Sequence, residues 1–337
     1  MPGTRAELRV VPEDFRVEED LGFEPAGSGA HLLLQVRKVN ANTQWVAREL
    51  ARLAGCHVAE VGYAGIKDRR AVAVQWFSVP RPRVAREWRA LQEPEFSVLA
   101  AHPHSRKLPR GALAGNRFEI RLRAPAGTGA ELGAALAARL ELIGREGVPN
   151  YFGPQRFGRD AGNLESVWRA AATLGQGGRR SRSPDQGFML SAARSLVFNA
   201  VLAERVRAGS WNRLAAGDVA NLDGRGSIFP IEALNADLER RCANLEIHPT
   251  AALPGGGEPL AGGAAFELEQ SIAARFPEAM SVIQAERMGA ERRALRLRVG
   301  DLTYEHQAEV LRLRFALSAG SFATAVLREI IGAAAEE

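Results

Sequence analysis

The order of hydrophobic periods along the chain constrains its fold more than any single motif does. The first third alternates strand and helix signals. HLLLQVRKV (31–39) reads as a strand whose start is continuously apolar, and NTQWVARELARLAG (42–55) has helical spacing, with Asn42 or Thr43 as N-cap and Gly55 just past the end. AVAVQWFSV (71–79) and FEIRLRA (118–124) read as strands; the second puts Phe118, Ile120 and Leu122 on one face and Glu119, Arg121 and Arg123 on the other. The middle turns helical in GAELGAALAARLELIG, ESVWRAAATLG, SAARSLVFNAVLAERVRAG and IEALNADLERRCANLE. Strand patterning returns in ERRALRLRVGDLTYEHQAEVLRLRFALS, and SFATAVLREIIGA closes the chain as a helix. A β-rich start, a helical middle and a β-rich end predict one α/β domain interrupted by a mainly helical insertion. The stretches 175–187 and 252–263 read as loops.

Length fits this plan, since 337 residues suggest two domains or one domain with a large insertion. Two cysteines, Cys56 and Cys242, exclude a disulfide scaffold and any multi-cysteine zinc motif. No apolar run approaches the roughly 18 residues of a membrane span, and MPGTRAELRV lacks a signal-peptide core. A cytoplasmic location without membrane contact is therefore expected. Walker A, Rossmann, H-E-x-x-H, C-x-x-C and G-x-S-x-G signatures are all missing, and the six histidines lack zinc spacing. No metal is assigned, and any chemistry is expected to rest on side chains alone.

The net charge is +5, and only three of the 44 cations are lysine: Lys38, Lys67 and Lys107. Arginine forks pair with phosphate and stack on bases, which suits RNA, although a GC-rich genome gives the same bias. Residues 102–123 hold Arg106, Lys107, Arg110, Arg117, Arg121 and Arg123 against Glu119 alone; residues 177–194 hold Arg179, Arg180, Arg182 and Arg194 against Asp185. Such clusters are the footprint of a polyanion binder, and a solvated face is the ordinary alternative.

Four motifs carry possible chemistry. In VGYAGIKDRRA (61–71), Asp68 lies between Lys67 and Arg69-Arg70 on a turn, an acid at a loop tip facing an anionic ligand. It can serve as nucleophile or base, or be a plain turn former. In VPNYFGPQRFGRDAGN (148–163), aromatic and guanidinium planes offer stacking surfaces for bases, or the packing of an irregular loop. RKLPRGALAGNRF (106–118) delivers Asn116 and Phe118 to the head of a strand, where Phe118 taken alone reads as core. In AGSFATAVLRE (319–329), Ser318 or Ser321 can cap a helix with Phe322 in its first turn.

Read in order, six blocks resemble the TruD family of tRNA pseudouridine synthases: PEDFRVEE (12–19), GIKD (65–68), RKL (106–108) with GNRF (115–118), NYFGPQRFG (150–158), AARSLVFN (192–199) and AGSFAT (319–324). The resemblance implies an α+β fold, a pseudouridine-synthase catalytic domain whose mixed sheet is flanked by helices and interrupted by a mainly helical TRUD insertion domain. The implied segments are 1–146 and 300–337 for the catalytic domain and 147–299 for the insertion. It implies conversion of uridine 13 in the D arm of tRNA to pseudouridine, with no cofactor and with tRNA as partner; a monomer is expected. By correspondence Asp68 is the catalytic aspartate, Phe118 stacks on the flipped base, and Asn116 and Lys67 line the pocket. Glu19 and Phe322 support it, and charge and motif membership point to Arg106, Lys107, Gln155 and Arg156 as RNA contacts. The stretch 175–187 has no clear family pattern. A non-catalytic tRNA-binding or RNA-folding protein is the alternative, with salt-sensitive binding and unchanged RNA.

Overall fold

The computed structural model describes residues 6–82, 84, 86–123, 130–175, 186–286, 288–307 and 310–331. The chain divides into two compact units, one of Met1–Gly144, Val299–Ala323 and Leu327–Glu337, the other of Arg145–Arg298 and Thr324–Val326.

The first unit is built on a nine-stranded mixed sheet. Its members are β1 (Glu7–Leu8), β2 (Phe15–Asp20), β3 (His31–Val39), β4 (Gly62–Tyr63), β5 (Val72–Pro80), β6 (Phe96–His104), β7 (Gly115–Arg123) and the hairpin Gly300–Gln307/Val310–Ser318. The hairpin pairs on β7, followed in order by β2, β5, β3 and β6, with β1 edging β7 and β4 edging β5. β2 and β5 run parallel, and the other pairs are antiparallel.

Side-chain alternation decides which face is covered. Helix α1 (Thr43–Ala54) lays Val46, Ala47, Leu50 and Ala51 against Leu34, Val36, Phe77, Val79 and Phe96. Asn42 stands at its N-cap, and Gly55 ends it at φ 67, a left-handed conformation that glycine adopts without steric cost. The opposite face of β7 and its hairpin neighbour is ion-paired and solvated. Arg314 meets Glu119 (3.0 Å) and Glu305 (2.7 Å), and Arg312 meets Glu305 (3.1 Å). This arrangement also accounts for half of the basic segment 102–123. Arg117 pairs with Asp20, Arg121 with Glu119 and Arg123 with Asp14, so these cations belong to the sheet's own charge pattern.

Gly115 begins β7 where backbones crowd: a Cβ there would lie 2.4 Å from the Leu317 carbonyl oxygen. Gly115→Ala is expected to cost about 1–3 kcal/mol, read as a lowered denaturation midpoint.

In the second unit, the helices Gly162–Gly175, Gln186–Arg207 and Pro277–Ala285 share a core of Val167, Met189, Leu190, Ala193, Ala279, Val282 and Ile283. Arg194 is buried in this unit, donating to the Leu253 and Gly289 carbonyls. Arg179, Arg180 and Arg182 lie outside the described residues. A small sheet, Ile228–Pro230, Val219–Leu222, Ile247–Leu253 and Glu291–Ala294 in spatial order, accompanies the helices. The residues of its first three strands carry no strand reading in the sequence. Their runs are only three to seven residues long, and Ile247–Leu253 is buried on both faces for most of its length, which removes the alternation. The helix expected from Ile231 is confined to Ala236–Ala243, because Asn235 caps it by accepting from the Leu238 N–H (2.9 Å). Among the described residues no helix is long and apolar enough to cross a membrane.

Candidate active site

The loop carrying Asp68 is irregular, yet its backbone is tied from within. β3 and β5 place two polar side chains, Lys38 and Gln75, at fully buried positions. The Lys38 ammonium donates to the carbonyls of Ala41 (2.8 Å), Asp68 (2.9 Å) and Lys67 (3.4 Å). Thr43, in the first turn of α1, accepts from the Lys67 N–H (3.0 Å) and donates to Gln75 Oε1 (3.0 Å). Gln75 Nε2 in turn donates to the Gly65 carbonyl (2.7 Å). Buried polar groups are costly unless paired, and here the pairing fixes the backbone at residues 65, 67 and 68. Burial pulls the Lys38 ammonium down to about 8; the Asp68 carboxylate opposes this shift and the Lys67 charge adds to it.

The Asp68 carboxylate points away from this network. It is 48% exposed, and Arg9 Nη2 lies 2.8 Å from its Oδ2. The Arg9 guanidinium also sits over the Phe15 ring, 4.3 Å from the centroid. Phe15 meets Phe118 edge-on at 6.0 Å, and Phe118 stacks on Phe315 at 5.3 Å.

The second half of the site lies along β2 and β7. Glu19 is directly opposite Asn116 in their antiparallel register, and Phe118, two residues on, shares that face. Lys67 Nζ is 2.6 Å from Glu19 Oε1, and Glu19 Oε2 accepts from the Trp76 N–H (2.7 Å). Burial pushes the Glu19 carboxyl above the usual range, with the Lys67 ammonium acting against that shift. Asn116 is buried, and its Oδ1 has no hydrogen-bond partner among the described residues. An unmet buried acceptor is a cost that a ligand's N–H can relieve.

Contacts link Asp68 through Arg9 and Phe15 to Phe118 and join Lys67 to Glu19, and the β2/β7 register at Asn116 together with the chain step from Lys67 to Asp68 closes them into a ring. The ring holds a carboxylate, a guanidinium, two buried aromatic side chains and an amide oxygen without a hydrogen-bond partner among the described residues. Among the described residues no cluster of three His, Cys, Asp or Glu side chains could hold a metal.

The model of the family "tRNA pseudouridine synthase D (TruD)" matches residues 1–170 and 185–330. The chain belongs to the tRNA pseudouridine synthase D family. Its relatives include the tRNA pseudouridine synthase D of Methylococcus capsulatus, 47% identical over 97% of this chain and 91% of that one. That of Aeromonas salmonicida is 40% identical over 99% and 92%. The crystal structure of a Methanosarcina mazei protein assigned as a tRNA pseudouridine synthase D superposes with a TM-score of 0.72, covering 98% of this chain and 94% of that one at 22% identity. That likeness shows the fold. The segment the family model leaves unmatched, 171–184, overlaps the Gly- and Arg-rich stretch without family pattern; residues 176–185 lie outside the described ones.

In this family member, five of the residues singled out by sequence come together: Asp68, Lys67, Glu19, Asn116 and Phe118. Phe118 is at once a ring member and a core residue, only 8% exposed. Phe322 is half-buried immediately before the helix Ala323–Ile331. Arg106 and Lys107 are exposed on the loop between β6 and β7, outside the ring, and Lys107 Nζ donates to the Ala59 carbonyl (2.5 Å). Gln155 and Arg156 belong to the second unit. Gln155 is exposed there, while the Arg156 guanidinium lies 4.8 Å from the buried Phe152 ring and burial lowers its pKa. Asn199 holds that segment by accepting from the Phe152 N–H (2.9 Å) and donating to its carbonyl (3.0 Å). The aromatic-rich stretch 148–163 is thus a packed loop at Phe152.

Arg9 and Lys38 are site residues that the sequence reading missed. Arg9 stands 59 residues from Asp68, and no local pattern marks it. Lys38 had a signal. Where arginine serves nearly every cationic role, the three lysines hold the Asp68 loop, Glu19 and the neighbouring Ala59 carbonyl.

Proposed function

We propose that this chain isomerises uridine 13 in the D arm of tRNA to pseudouridine, with Asp68 as the essential carboxylate. The observation that carries this reading is the half-exposed Asp68 carboxylate, projecting from a loop whose backbone is held by buried Lys38, Thr43 and Gln75. Rigid backing with an accessible carboxylate suits a group that must meet a reacting carbon repeatedly in one geometry. tRNA as substrate makes the cytoplasm the site of action. The division of the chain into units at Gly144/Arg145 and Arg298/Val299 supports reading 147–299 as the TRUD insertion within a catalytic domain of 1–146 and 300–337.

The reaction breaks the N1–C1′ bond, turns the uracil, and joins C5 to C1′. C5 loses its hydrogen and N1 gains one, so the step balances without oxidant or reductant. Asp68 begins it either by attacking C1′, to be displaced later by C5, or by taking the C2′ proton to give a glycal and returning it. Arg9 orients the carboxylate. The uridine must first leave its stack, and Asn116 Oδ1 is then free to accept from the uracil N3–H. Cytosine has no hydrogen on N3, so the same amide oxygen favours uracil. Phe118 and Phe15 supply the aromatic floor, Lys67 and Glu19 flank it, and Phe322 supports it. Arg106, Lys107, Gln155 and Arg156 serve tRNA binding.

The test uses pure protein and an unmodified tRNA transcript with uridine at position 13, without added cofactor. Carbodiimide labelling and primer extension are expected to give a new stop at position 13. Tight tRNA binding with no stop at any uridine would overturn the reading in favour of a binding protein. Arg9→Ala is expected to lower single-turnover rates about 10- to 100-fold, the scale of a misplaced catalytic group, with tRNA affinity nearly unchanged; Arg9→Lys should recover part of the loss.

A further inference from the structure

Beside the Asp68 loop, on the side of α1, lies a cavity of about 580 Å³ that the reaction itself does not use. Arg48 of α1, Tyr63 of β4, and Lys107 and Arg110 of the loop before β7 line it, with Val58 and Gly62 completing one wall. Three of its lining side chains are cations and none is a carboxylate.

Arg48 and Arg110 form no ion pair among the described residues. Arg52, one turn along the same helix from Arg48, is spent on Glu49 (2.9 Å). The Arg110 guanidinium lies 3.8 Å over the Tyr63 ring. The Lys107 ammonium is fixed on the Ala59 carbonyl. The wall is also preformed: a Cβ at Gly62 would come within 2.4 Å of the Leu108 carbonyl oxygen, so strand and loop meet there in direct backbone contact. Tyr63 leads through Ala64 into the GIKD turn, and the Ala64 carbonyl accepts from the Gly111 N–H (2.8 Å), tying the cavity's basic loop to the segment that enters that turn.

A partly apolar cleft with an aromatic ring, an arginine plane and cations free of acids matches a nucleotide, whose flat base stacks while its phosphate takes the charge. We propose that this cavity seats a second, unpaired nucleotide of the substrate tRNA, with Arg48, Lys107 and Arg110 on its phosphates and the base against the Tyr63–Arg110 pair. The proposal rests on the reading that tRNA is the substrate. Its role is to hold the RNA while the target uridine leaves its stack, so its effect belongs in KM.

The experiment compares wild type, the double variant Arg48→Ala/Arg110→Ala, Tyr63→Leu, and a control, Arg52→Ala/Arg86→Ala, that removes the same charge elsewhere. The double variant is expected to raise KM for tRNA about tenfold or more with kcat within twofold. It should also reduce the slope of log affinity against log salt by about 0.7–0.9 for each phosphate no longer neutralised. Tyr63→Leu should raise KM without changing that slope, and the control should stay within twofold of wild type. A double variant that behaves like the control would overturn the proposal, as would a loss confined to kcat. Should wild type bind tRNA but make no pseudouridine, the proposed reaction fails, while the salt slopes still decide whether this cavity holds RNA.

Discussion

Asp68→Asn is expected to lower the rate of pseudouridine formation at least about a thousandfold while changing tRNA affinity less than about threefold. The substitution keeps the shape of the side chain and an oxygen for Arg9 to donate to. An amide, however, neither attacks C1′ nor takes a proton from C2′. The carboxylate is half-exposed and makes no hydrogen bond to the buried network, which uses only the Asp68 carbonyl. The fold should therefore survive intact. Single-turnover kinetics with saturating enzyme and filter binding read the two quantities separately. More than about a tenth of wild-type turnover in the variant would remove Asp68 from the role of essential carboxylate.

Lys38→Met is expected to damage both stability and rate. It strips three carbonyls, those of Ala41, Lys67 and Asp68, of their donor at a position closed to water. Each unmet acceptor costs about 1–3 kcal/mol, against which the relief of a buried charge is set, so a net loss of about 2–4 kcal/mol is expected in denaturant titrations. With the loop no longer anchored, turnover should fall about a hundredfold even below the melting range.

The same lysine gives a pH dependence of unusual sign. Burial lowers Lys38 to about 8 from an ordinary 10.5. Between those values the unfolded chain holds the proton that the native protein has released, so the contribution of this group to stability rises with pH. Turnover should move the other way. A neutral amine has two hydrogens for three carbonyls, and the rate is expected to decline on the alkaline side around pH 8. Lys38→Met should lack that decline. Parallel pH profiles for wild type and variant would detach the loop's function from Lys38.

The physics of each element decides how legible it was in the sequence. Helix α1 and strand β7 are half-buried and therefore periodic, and their residues announce both the element and its covered face. The Gly55 stop is local chemistry, readable without a partner. The GIKD turn could be located but not understood, because its support comes from Lys38, Thr43 and Gln75, polar residues at inward positions. In an alternation pattern such residues look like surface. Arg9 meets Asp68 only because β1 edges β7 while β2 runs parallel to β5, a topology that no local spacing encodes. The cationic cluster at 102–123 misleads in part for the same reason: Arg117 finds its acid across strands and Arg123 on the turn before β2, while Arg121 meets Glu119 of its own strand. The cations of that cluster left without an acid among the described residues, Arg106, Lys107 and Arg110, are those on the loop beside the Asp68 turn.

Moving C1′ of uridine 13 from N1 to C5, as proposed for this chain, expels the hydrogen at C5. A tRNA transcript carrying tritium at C5 of its uridines therefore reports the chemistry directly. With pure protein, release of a single tritium per tRNA is expected, and none from a transcript with cytidine at position 13 or with the Asp68→Asn variant. Release that persists with cytidine at position 13 would contradict the assigned target, and full tRNA binding without any release would contradict the reaction itself.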